Sequence, residues 1–111
     1  MAKLKATPKN FNQALAALNG KTTVRLGNNT YLEAVELESD VNLIVVRFHN
    51  TDIVKFYANG VTELYTGGYR TVTTKERINQ FINGRLYQKD GQWFIYHCLG
   101  YERQFVEGME A

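Results

Sequence analysis

The sequence is poor in the residues on which most enzymatic and metal chemistry rests. Its 111 residues include one Cys, one Pro, one Ser and two His. The lone cysteine, Cys98, excludes an intramolecular disulfide and a multi-cysteine zinc site. His49 and His97 do not have the H-x-x-x-H spacing, and no C-x-x-C or calcium-loop pattern occurs, so neither a metal nor a cofactor is expected. The single serine, Ser39, adjoins Asp40 in a predicted turn and reads as a turn residue, not a nucleophile. Cys98 and His97 are neighbours, so on a regular strand they point to opposite faces, which argues against a catalytic dyad. Cys98 reads instead as a small buried hydrophobe. No apolar run approaches the ~18 residues that a membrane span needs, and residues 1–5 lack a signal-peptide core. These absences favour binding over catalysis, and a cytoplasmic setting with no membrane partner.

What is present is ordinary globular material, with 44% hydrophobic and 22% charged residues. The length suits one domain over 1–111. Residues 1–9 are basic and polar and read as a flexible arm. Residues 107–111 read as a frayed tail. Asn10 is a helix cap, Phe11, Ala14, Leu15 and Leu18 follow at helical spacing, and Gly20 suits the C-terminal end.

From Lys21 the pattern changes to period two. Strands are expected at about 21–26, 31–38, 41–49, 53–58, 61–66, 85–89 and 92–98, with a short last one within 101–106. Leu43–Val46 is apolar on both faces, which marks a central strand. Asn59-Gly60 and Asp90-Gly91 are hairpin signals, read as type I′ turns. Thr73 with Glu76 fits a capping box for a second helix carrying Ile78, Phe81 and Ile82. The expected class is α+β: a mainly antiparallel meandering sheet with about two short helices packed on it.

The net charge is only +2. That total conceals an acidic stretch (Glu33, Glu36, Glu38, Asp40) and a basic one (Arg70, Lys75, Arg77, Arg85, Lys89). The basic stretch surrounds the start of the second helix, after Gly67-Gly68. A helix N-terminus offers free N–H groups and partial positive charge, so it favours anions. Arg70, Thr71, Thr73, Thr74, Lys75, Arg77 and Asn79 are therefore the candidate phosphate or anion ligands. Ordinary capping with exposed bases is the competing reading. A second polar set, Asn28, Asn29, Arg47, His49, Asn50 and Thr51, falls at predicted turns and strand ends. Tyr69 and Trp93 are candidate stacking platforms, and a Tyr-rich outer face points to a homo-oligomer.

The segments Gly27–Leu32, Arg47–Val54, Gly67–Asn79 and Leu86–Trp93 resemble a group of small proteins of tailed phages and prophages, over about residues 21–96. Members often carry Trp where this chain has Tyr69. The resemblance implies a protein that acts by binding in the bacterial host cytoplasm. The leading expectation is a non-catalytic protein that captures an anionic nucleotide-like ligand, such as an immune-signalling nucleotide, to counter host defence. The alternatives are a nucleic-acid-binding accessory protein and a protein–protein inhibitor of a host defence factor.

Overall fold

The computed structural model describes residues 4–37, 40–97 and 99–111, and the readings of Glu38, Ser39 and Cys98 lie outside the described residues. Helix α1 (Phe11–Leu18) is followed by β1 (Thr23–Gly27), β2 (Thr30–Leu37), β3 (Asp40–Phe48), β4 (Thr51–Tyr57) and β5 (Thr62–Leu64). Helix α2 (Val72–Asn79) then leads into β6 (Arg85–Lys89), β7 (Gln92–Tyr96) and β8 (Glu102–Gln104). The strand pairs are antiparallel and the class is α+β. No helix of the described residues is long and apolar enough to cross a membrane.

The strands do not form the single meander expected. They divide into a five-stranded sheet, β1-β2-β3-β4-β5, and a three-stranded sheet, β6-β7-β8. The break falls where α2 separates β5 from β6, and Asn79 shows why. Its amide donates to the Leu86 carbonyl at 2.8 Å and accepts from the Leu86 N–H at 2.6 Å. The start of β6 is thus pinned to α2 by a side chain that mimics a strand neighbour, not to β5. Asn79 is a structural residue here, not a ligand-facing one.

Helix α1 starts as the sequence implies, with Asn10 Oδ1 accepting from the Gln13 N–H at 2.8 Å. Its left-handed cap is Asn19 (φ 50°), one residue before Gly20. Helix α2 starts earlier than expected. Thr71, not Thr73, is the N-cap, and its hydroxyl accepts from the Thr74 N–H at 3.2 Å. Thr74, Arg77 and Ile78 form its buried face, and Thr73 and Glu76 are exposed. Asp90-Gly91 has positive φ at both positions, as a type I′ turn requires. At Asn59-Gly60 only the glycine has positive φ, and Asn59 Oδ1 instead accepts from the Val61 N–H at 3.0 Å. The longer 58–61 connection lets an ordinary turn plus one left-handed glycine close that hairpin.

One core joins the two sheets. Leu32, Ile44, Val46, Val54, Phe56 and Leu64 meet Ala14 and Leu18 of α1, Ile78, Phe81 and Ile82, and the second sheet's Leu86, Trp93, Ile95 and Phe105. Each large side chain contributes about 1.5–3 kcal/mol by burial. Strand β3 is central, and Val45, on its other face, is buried between Glu33 and Lys55 in the register. Both of those side chains have apolar stems that can cover it.

Residues 4–9 and 107–111 are tied to the fold, while residues 1–3 of the expected arm lie outside the described residues. Leu4 is buried against Gly27, the Lys5 N–H bonds the Leu26 carbonyl at 2.8 Å, and Pro8 is buried. At the other end, the Gly108 N–H donates to the Leu64 carbonyl (2.7 Å), the Leu64 N–H to Met109 (3.0 Å) and the Ala111 N–H to Thr62 (2.9 Å). These bonds extend the sheet beyond β5 and satisfy part of its free edge.

Candidate functional site

Three chain segments converge at one end of the five-stranded sheet. The β3–β4 hairpin turns at His49-Asn50, since Phe48 pairs with Thr51. The β1–β2 turn lies beside it: Thr30 pairs with Phe48, and the His49 N–H bonds the Asn29 carbonyl at 2.9 Å. The chain leaving β5 reaches the same end, because the Tyr65 N–H bonds the Ile53 carbonyl at 2.9 Å. It then turns through Gly67 and Gly68, both at positive φ, and starts α2 there.

Between them lies a cleft of about 420 Å³, lined by Phe48, His49, Asn50, Thr51, Ile53, Thr66, Tyr69, Thr71, Thr73 and Thr74. Phe48 and Ile53 give it an apolar part, and five threonines, an amide and an imidazole line the rest; the Thr66 hydroxyl donates to Glu107 and that of Thr71 to Thr74. Tyr69 is 68% exposed and stands at the mouth with its ring free to cover a ligand. A bulge helps to shape the floor. Val46 pairs with Val54 but Arg47 with Asp52, so Ile53 is an extra residue of β4. Such a bulge re-aims side chains locally. His49 holds φ 56°, a left-handed conformation that costs a non-glycine residue about 1–2 kcal/mol and is more frequent at functional positions.

The cleft thus unites part of each polar set, Thr71, Thr73 and Thr74 from one and His49, Asn50 and Thr51 from the other, with the stacking candidate Tyr69. Several expected members stand elsewhere. Asn28 and Asn29 form the adjoining turn but do not line the cleft. Arg47 lies on the opposite sheet face, paired with Glu33 at 3.0 Å and 5.2 Å from the Tyr31 ring centre. No Lys or Arg lines the cleft. Arg70 lies over the Phe105 and Trp93 rings (5.1 and 5.9 Å) and Lys75 over Trp93 (5.8 Å). Trp93 is itself buried beside Phe105, so it packs the core and is no open stacking platform.

Arg77 is the unusual member. It is 3% exposed, its Nη1 donates to Gln80 Oε1 at 3.0 Å, and its Nε has no hydrogen-bond partner. Its guanidinium lies 5.4 Å from the centre of the Phe48 ring, behind the cleft floor. No carboxylate among the described residues pairs with it. Burial pushes its pKa down, yet a guanidinium stays charged at neutral pH. Arg77 is therefore a buried cation that no carboxylate among the described residues pairs, set over the Phe48 ring that lines the cleft.

The sequence reading missed Phe48, Ile53 and Thr66. The first two flank the His49–Thr51 turn, and a bulge moves Ile53 toward it; that shift left no local signal. Among the described residues no group of three or more His, Cys, Asp or Glu is placed to hold a metal ion.

Fold and site define a small two-sheet α+β protein with a hydroxyl-rich, carboxylate-free cleft at one sheet end. The chain belongs to the Kyanoviridae Gp96 protein family, whose family model matches residues 7–111. It is thus a member of a phage protein family, and the match takes in α1 and the segment after residue 98, beyond the 21–96 of the resemblance noted above. No curated protein and no solved structure matches the chain.

Proposed function

We propose that this protein is a non-catalytic phage binding protein, which captures an anionic, nucleotide-like small molecule in the Thr-rich cleft and so withholds it from a host defence response. The observation that carries this reading is the convergence of members of both polar sets on one cleft, with Arg77, which no carboxylate among the described residues pairs, set over its Phe48 ring. Thr71, Thr73 and Thr74, with the first-turn N–H groups of α2, are the phosphate side. His49, Asn50 and Thr51 face them and suit sugar hydroxyls or a base edge. Tyr69 covers the base. Arg70 and Lys75 act from outside the cleft, by adding to the positive field. Among the described residues the lining holds no carboxylate that would repel an anion. The setting is the host cytoplasm, where such ligands occur.

Calorimetry against a panel of linear and cyclic nucleotides tests this. At least one is expected to bind saturably at or below about 100 μM. Thr73→Val and Tyr69→Ala, both at exposed positions, should each weaken that ligand about tenfold without lowering thermal stability. Absence of binding across the panel would remove the proposal.

A protein partner is the second reading, favoured by Leu99 (79% exposed), Tyr101 and Tyr96 at the β7–β8 turn. Grouped exposed apolar side chains suit an interface with a host factor or a second copy. Leu99→Glu should then abolish capture or self-association while leaving nucleotide binding unchanged.

A further inference from the structure

The Gly67-Gly68 segment already holds an anion, and the anion belongs to the chain. Glu107 Oε1 accepts from the N–H groups of Thr66 (2.7 Å) and Gly67 (3.2 Å), while Oε2 accepts from the Thr66 hydroxyl (2.6 Å). Arg70 Nη2 stands 3.7 Å from Oε2. Gly67 and Gly68 have φ 64° and 85°, and the Cβ that Gly67 lacks would sit 2.9 Å from Thr51. Successive backbone N–H groups in such a turn form a concave anion nest. Two N–H groups, a hydroxyl and a guanidinium converge on one group, the donor set used for oxyanion recognition. The occupant is held at one side only loosely: Arg70 is beyond hydrogen-bond distance, and both Arg70 and Glu107 are partly exposed.

We propose that Thr66, Gly67 and Arg70 form a binding site for a phosphate-bearing ligand, and that the Glu107 carboxylate is its intramolecular occupant, which the ligand displaces. A phosphate carries more charge than a carboxylate and a further acceptor oxygen, which Arg70 can engage. A tethered occupant reduces the apparent affinity of the outside ligand by the fraction of time that it fills the site. Thr66 also lines the cleft, so the two sites adjoin. The inference does not depend on nucleotide capture, because inorganic phosphate is its probe.

Inorganic phosphate is titrated into the isotope-labelled full chain, and the amide resonances of Thr66 and Gly67 are followed. Glu107→Ala is expected to bind phosphate about tenfold more tightly than wild type, through those amides. Adding Arg70→Ala should abolish the gain. Glu107→Gln retains an acceptor oxygen for the Thr66 N–H and removes the charge, so it should remain folded and show an intermediate gain. Phosphate affinity unchanged in either Glu107 variant, or resonance shifts confined to other segments, overturns the proposal and leaves Glu107 a structural tie.

Discussion

Glu63 accepts from the hydroxyls of both Tyr57 (2.8 Å) and Tyr65 (3.0 Å) on the outer face of the larger sheet. The hydrogen bond to Glu63, then burial, pushes the Tyr57 phenol up from 10.0 to about 12, and Tyr65 is raised for the same reasons. The unfolded chain loses these protons as pH passes 10.0, while the folded chain retains them, so folding stability contributed by the pair is complete below that pH and falls as pH rises toward about 12. Alkaline unfolding followed by phenolate absorbance should therefore show late-ionising tyrosines, and Tyr57→Phe should reduce the loss of stability over this range. An alkaline profile identical to wild type would contradict it. Side-chain chemistry of this kind was only partly legible from sequence. Thr73 and Tyr69 were found because polar and aromatic residues at a turn have little packing to do. Arg77 was also singled out, but as an exposed phosphate holder. Arg77 shares a helix face with Thr74 and Ile78, and the packing of that face against β4 and β6 buried it.

Helix α2 owes its start to the Thr71 cap and its end to contacts with the second sheet. Thr71→Ala should destabilise the protein by about 1 kcal/mol, read from urea unfolding, because the Thr74 N–H loses its acceptor. Beyond the helix, Gly84 passes close to β7. A Cβ there would lie 2.4 Å from the Tyr96 carbonyl oxygen, a backbone atom that cannot swing aside. Gly84→Ala should cost about 1–3 kcal/mol in the same experiment, and wild-type stability would show that the approach can relax. The second helix was expected to carry Phe81 and Ile82 but ends at Asn79, and sequence could not reveal the Gly84 contact, since only the packed sheet supplies the opposing carbonyl.

The two sheets share a core and are also joined by the chain itself. The Phe105 N–H bonds the Trp93 carbonyl at 2.9 Å, and a few residues later the backbone pairs with β5 of the other sheet. Deleting residues 107–111 removes the three backbone bonds to β5, at about 1 kcal/mol each, together with the ties of Glu107. The expected result is a lower thermal midpoint and, from the uncovered β5 edge, more aggregation on heating, measured by light scattering. An unchanged midpoint would show that the segment adds nothing to the larger sheet. This joint was illegible in sequence: Glu107 and Thr66 are 41 residues apart, and nothing in a short polar ending marks where it docks.

The sequence by itself determined the local structure: both helices, the strand spans within a residue or two, the Asp90-Gly91 hairpin, the centrality of Leu43–Val46 and the phage kinship later seen over 7–111. Periodicity, capping and turn geometry are settled by residues a few positions apart, so they can be read in one dimension. Only the tertiary structure decided that the strands form two sheets, that the turn at 49–51 meets the threonines of 66–74, that Arg77 is buried, and that Glu107 fills the nest at Gly67. Each of these depends on which face of one element packs against another, and that is set by the burial of the whole core at once.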